Sequence, residues 1–115
     1  MQREELTENL YGPLRALILD AEVEEIWVNS PNRVFVARNG KSELTNLVLT
    51  GDDIRGLIEN LLMWGGRPLD LNHPFVDARL PDGSRLHVAI PEVTAEHWAI
   101  NIRKHLMRNK TLIDL

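Results

Sequence analysis

FVDARLPDGSRLHVAIP (75–91), followed by HWAINIR (97–103), decides the fold of this chain, because its turn fixes which side chains share a face. Pro81 presets φ at the first turn position, Asp82 suits the second, and Gly83 can take a positive φ. The run therefore predicts a hairpin with a three-residue loop and a glycine bulge. That register sets Arg79 opposite Arg85, Ala78 opposite Leu86, Asp77 opposite His87 and Val76 opposite Val88, so each face is uniform. A two-residue loop would set Leu80 against Arg85 and mix the faces. In the next run Trp98, Ile100 and Ile102 alternate with Ala99, Asn101 and Arg103, which brings a third guanidinium to the polar face if that strand pairs alongside. Two arginines directly across a ladder repel. A bound anion would turn that cost into binding, since guanidinium offers a planar fork of donors suited to phosphate oxygens. The plainer alternative is that Asp77, on the same face, relieves the repulsion together with water.

Working outward, Leu6, Leu10, Leu14, Leu17 and Ile18 form a helical stripe that Gly12-Pro13 interrupts. A short helix from Pro13 to about Asp20, with proline in its first turn, follows, and what precedes Gly12 is a separate helix. In EIWVNSPNRVFVARNGKSELTNLVL (25–49), Ile26 and Val28, then Val34 and Val36, recur with period two, broken at Ser30-Pro31-Asn32 and at Asn39-Gly40. Asn-Gly is a strong hairpin signal because both residues tolerate positive φ. This is a three-stranded antiparallel meander. Thr50 caps a helix with Asp53 near its N-terminus, and Ile54, Leu57, Ile58, Leu61 and Leu62 supply its apolar face. Gly65-Gly66 ends it, and a loop with Pro68, Asp70 and Pro74 leads into the arginine hairpin. The order of helix, three strands, helix, three strands predicts an α+β fold: an antiparallel sheet of about six strands in two three-stranded segments with flanking helices, a PAS-like arrangement.

With 115 residues, 43% of them apolar, one domain with its own core is expected. No cysteine is present, which removes disulfides and thiolate metal sites. The N-terminal MQREELTENL is charged, and no apolar run approaches the roughly 20 residues of a membrane span. A soluble, cytosolic protein is the expectation. Thirteen basic against seventeen acidic side chains give a formal charge of −4, which argues against nucleic acid as a partner except through a local basic patch.

Several constellations carry little chemistry. No G-x-x-x-x-G-K-[ST] phosphate loop occurs, so the chain by itself is not expected to be an enzyme. Asp70, His73 and Asp77 are a weak cation set, and His87, His97 and His105 add no helical i, i+4 pair, so no metal site is expected. Ser84 near His87 lacks a nucleophile elbow. Glu4, Glu5, Glu8, Glu22, Glu24 and Glu25 read as solvated charges, and Trp27, Trp64 and Trp98 as core. The closing HLMRNKTLIDL (105–115) carries Leu112, Ile113 and Leu115, which either await a further partner or fold back on the core.

These residues together resemble the N-terminal domain of the secretion and pilus-assembly ATPases of the type II/type IV secretion superfamily, closest to the Tad/Flp pilus and conjugation-type branch. The similarity runs from YGPLRALILDAEVEEIWVNSPNRVFVARNGK (11–41) through Leu69-Asp70 and PFVDARLPDGSRLHVAIP (74–91) to INIRK (100–104) and TLIDL (111–115). It departs from the family pattern at Ala37-Arg38, where an acidic residue often stands, and at His105, where an aromatic is common.

The resemblance implies that residues 1–104 are that N-terminal domain and 105–115 the start of a linker to a RecA-like ATPase domain. It implies a homo-hexameric ring, cytoplasmic and peripheral to a bacterial or archaeal inner membrane, with secretion or pilus platform proteins as partners. ATP and Mg²⁺ would be held mainly by the ATPase domain. Carried over by position, Arg85 and Arg103, with Arg79 as a third, would approach the ATP phosphates and stabilise the transferring phosphoryl group, coupling hydrolysis to ring motion. The alternative is a stand-alone PAS-like module that holds a small molecule between helix and sheet.

Overall fold

The structure, a computed structural model, describes residues 10–66, 75–89 and 99–104. A 3₁₀ turn, Gly12–Leu14, with Pro13 inside it, runs directly into α1 (Arg15–Leu19). Strands β1 (Val23–Ser30), β2 (Arg33–Arg38) and β3 (Lys41–Leu44) follow as a meander. Helix α2 spans Gly51–Trp64 and leads to β4 (Phe75–Arg79), β5 (Arg85–Ala89) and β6 (Ala99–Arg103). This is the α+β fold that the strand and helix patterns predict. Of the expected helix before Gly12, Leu10 and Tyr11 are described and are helical, and the rest lies outside the described residues, as do the loop around Pro68, Trp98 and the C-terminal 105–115 segment.

Local chemistry accounts for each element. Asn39 and Gly40, at φ 51° and 80°, make the tight β2–β3 turn. Thr50 accepts from the Asp53 N–H and the Asp53 carboxylate accepts from the Thr50 N–H, both at 2.9 Å, a reciprocal cap that satisfies two helix-start donors. The five predicted apolar positions of α2 are all buried.

The two meanders join into one six-stranded antiparallel sheet in the order β3-β2-β1-β6-β5-β4. Its first and last strands lie side by side at the centre, with Ile26 opposite Ile102 and Val28 opposite Ile100. One face, bearing Ile26, Val28, Val34, Val36, Val76, Leu86, Val88, Ile100 and Ile102, forms a single buried cluster with the apolar side of α2 and with Leu10, Tyr11, Leu14 and Ile18. Period two then obliges the alternate residues to occupy the opposite face.

Trp27 is a correction. It alternates with Ile26 and Val28, pairs with Phe35 and Asn101, and stands half-buried on the face away from the core. Trp64, at the end of α2, does pack against the core.

Candidate functional site

The β4–β5 hairpin has the register that its turn predicts, from Val76 opposite Val88 to Arg79 opposite Arg85. Leu80 donates its N–H to the Ser84 carbonyl and Gly83 its N–H to the Leu80 carbonyl, both at 2.8 Å, with Gly83 at φ 89°. That closes the loop over Pro81-Asp82-Gly83. The Ser84 N–H donates to Asp82 Oδ1 at 2.9 Å, and the buried Tyr11 hydroxyl donates to Asp82 Oδ2 at 2.6 Å. The turn that sets the register is thus tied to the start of the chain.

Pairing of β5 with β6 places Arg85 directly opposite Arg103. Arg79, Arg85 and Arg103 therefore form one continuous row across three neighbouring strands, all exposed, on the face away from α2. Strand spacing makes that row roughly 10 Å long. An open recess of about 280 Å³ lies at its outer end, lined by Asp77, Ala78, Arg79, Arg85 and Leu86.

The plainer account of the row requires Asp77 to neutralise the arginines. Its Oδ1 instead lies 2.7 Å from His87 Nδ1, and the His87 ring stacks on Phe75. Among the described residues, Arg79 and Arg85 form no ion pair. The row continues onto β1, where Glu25 is opposite Arg103. Glu25 was expected to be a solvated charge, but its side chain is only 16% exposed. One of its oxygens accepts from Asn101 Nδ2 at 2.7 Å, and the other lies 3.6 Å from Arg103 Nη2. The signal that could have placed it is its alternation with Ile26, which forces Glu25 and Trp27 onto the polar face.

Arg38 is used differently from the three arginines of the row. It donates to Asp20 and Glu43 and lies 3.7 Å from Glu22, clamping the α1–β1 turn to the β2–β3 hairpin. Its guanidinium, and after it the Glu22 backbone N–H, hold the Asp20 carboxyl below the usual carboxylate range; Arg38 is pushed upward in turn, by Asp20 first. Lys104, buried beneath, donates from Nζ to the Asp20 carbonyl at 2.8 Å. Arg38 thus serves to hold the fold.

Other candidates separate. Ser84, just before β5, is buried, whereas the His87 ring is engaged by Asp77, so they form no nucleophile pair. No group of three potential ligands able to hold a metal occurs among the described residues; Asp70, His73, His97 and His105 lie outside them. The space between α2 and the sheet is filled by Ile54, Leu57, Ile58, Leu61 and Leu62, each 4% exposed or less. No described helix is long and apolar enough to cross a membrane.

A scan against protein-family models finds no match. Two uncharacterized proteins of Methanocaldococcus jannaschii are similar in sequence. MJ0781 is 33% identical over 106 residues, covering 90% of this chain and 15% of that protein. MJ1288 is 36% identical over 84 residues, covering 70% of this chain and 33% of that protein. The chain spans less than half the length of either relative. Among solved structures, the VirB11 ATPase from the Brucella suis type IV secretion system, crystallised in complex with sulphate, is similar with a TM-score of 0.77 at 24% identity, covering 90% of this chain and 31% of that one. The architecture described above is therefore one that part of a type IV secretion ATPase also adopts.

Proposed function

We propose that this chain is the N-terminal domain of a secretion or pilus-assembly ATPase of the type II/type IV secretion superfamily, in the Tad/Flp pilus and conjugation-type branch. In this reading it closes over ATP and Mg²⁺ bound by a RecA-like ATPase domain, within a homo-hexameric ring on the cytoplasmic side of the inner membrane. The observation that carries it is the arginine row: Arg79, Arg85 and Arg103 stand side by side, exposed, with the first two unpaired among the described residues. Three adjacent cations with one carboxylate at the end of the row form a surface whose repulsion falls when a polyanion arrives.

In such a ring the rigid sheet presents the guanidinium groups to phosphate oxygens supplied by another domain. Charge that develops on a transferring phosphoryl group is stabilised by preorganised cations, and an arginine delivered from outside the nucleotide-binding domain is a common solution. The fold shared with part of VirB11 and the small share of each relative's length that the chain spans support the multidomain reading.

The test is ATP hydrolysis by this domain joined to its ATPase domain. Arg85→Ala and Arg103→Ala should each lower kcat by about a hundredfold or more, the scale of a lost transition-state cation. Unchanged hydrolysis in both would remove the proposed role. The coding sequence beyond Leu115 offers a quicker check, since the proposal requires a G-x-x-x-x-G-K-[ST] motif there.

A further inference from the structure

We propose that Glu25 is a positioning residue of the arginine row, a built-in counter-anion that competes with phosphate for Arg103. The inference rests on the reading of the row as a phosphate site and adds a restraint to it.

Glu25 occupies the fourth place in the row, directly opposite Arg103. Its two oxygens are used unequally. Asn101 holds one at 2.7 Å, within full hydrogen-bond distance, whereas Arg103 Nη2 stands 3.6 Å from the other, beyond it. The carboxylate is thus tethered by a neutral amide, and the arginine is attracted without being locked. Their exposures agree with this division, 16% for the Glu25 side chain and 70% for that of Arg103. A guanidinium so placed is free to swing toward an arriving anion while Glu25 stays in position.

Two consequences follow for a polyanion. Glu25 lowers the net positive charge of the row and so weakens binding. Its field also draws Arg103 toward β1, away from Arg85, so Arg103 joins the ligand only when the ligand outbids the carboxylate. Arg79 and Arg85, which have no such partner among the described residues, make the first contact. The Asn101 amide keeps this competition even, because a released carboxylate could close onto Arg103 and form a full hydrogen-bonded pair.

Inorganic tripolyphosphate, titrated calorimetrically at low salt into the full 115-residue chain, tests this, with a thermal melt of every variant. Wild type should bind, and Arg85→Ala should bind more weakly. Glu25→Gln, which keeps an acceptor for Asn101, should bind about threefold more tightly, the scale of one exposed ion pair removed. Its Tm should fall, because three adjacent cations lose their neighbouring anion; a merely structural role would move stability without tightening binding. Adding Arg103→Ala to Glu25→Gln should abolish the gain. Asn101→Ala, which keeps the carboxylate and frees it, should bind more weakly than wild type and provides the test if Glu25→Gln fails to fold. If Arg85→Ala weakens binding but Glu25→Gln does not strengthen it, or Asn101→Ala strengthens it, the role of Glu25 is overturned and the phosphate site stands. Absence of binding in wild type and Glu25→Gln alike, or binding indifferent to Arg85→Ala, overturns the phosphate site and this inference with it.

Discussion

Tyr11 and Asp82 lie 71 positions apart in sequence and meet at 2.6 Å, in a contact that couples the first helical turn to the arginine hairpin. Burial, and then the Asp82 carboxylate, push the Tyr11 hydroxyl well above its ordinary range. Above pH about 10 the unfolded chain releases this proton while the folded chain keeps it, so stability should decline with rising pH there. At the acid end Asp20 works in the opposite sense. Its pKa is lowered in the folded chain, mainly by Arg38, so its contribution is fully present above the ordinary carboxylate range and is lost as pH falls through the depressed value. Denaturant melts across pH should show both limbs; Tyr11→Phe should flatten the alkaline one and cost about 1 kcal/mol at neutral pH. An alkaline limb unchanged by Tyr11→Phe would show that the hydroxyl is not its source. The pairing of Tyr11 with Asp82 was not legible in the sequence, where Asp82 was simply a good turn residue.

At the scale of elements, α2 and its cap were fully readable, because Thr50, Asp53 and the i, i+3, i+4 apolar spacing act within a few residues of one another. Thr50→Ala should lower stability by about 1 kcal/mol, in the range of lost caps, as measured by the denaturant midpoint. How α2 meets the sheet was not readable. A Cβ added at Gly65 would come within 2.9 Å of the Ala78 Cβ, so the end of the helix abuts β4 between Asp77 and Arg79. Gly65 has φ −80°, which any residue adopts, so this glycine serves close approach and not an unusual backbone. Gly65→Ala should destabilise by about 1–3 kcal/mol through overpacking, and Ala78→Gly should restore much of it. A lack of rescue would mean that the cost arises elsewhere. The sequence marked Gly65 only as a helix terminator; the contact it permits depends on which strand lies beside it.

Across the whole molecule, the arginine row exists because the last strand pairs with the first. Glu25 and Arg103 are 78 positions apart, and the β1–β6 pairing gives both halves one continuous sheet and one core. Unfolding should therefore be a single transition, with tryptophan fluorescence and far-UV circular dichroism superimposable in denaturant. Ile102→Ala, at the buried centre of the seam, should lower stability by about 2–5 kcal/mol while keeping one transition. Two separated transitions would show that the meanders are independent units.

Local chemistry in the sequence determined the elements, both tight turns, the facing of Arg79 and Arg85, and the apolar side of α2, since each depends on residues within a dozen positions. The strand order, the entry of Arg103 and Glu25 into the row and the tie of Tyr11 to Asp82 were decided only by the tertiary structure. Alternation divides a strand into two faces, but it does not say which distant strand will lie alongside, and the charges that meet across the seam are set by that choice.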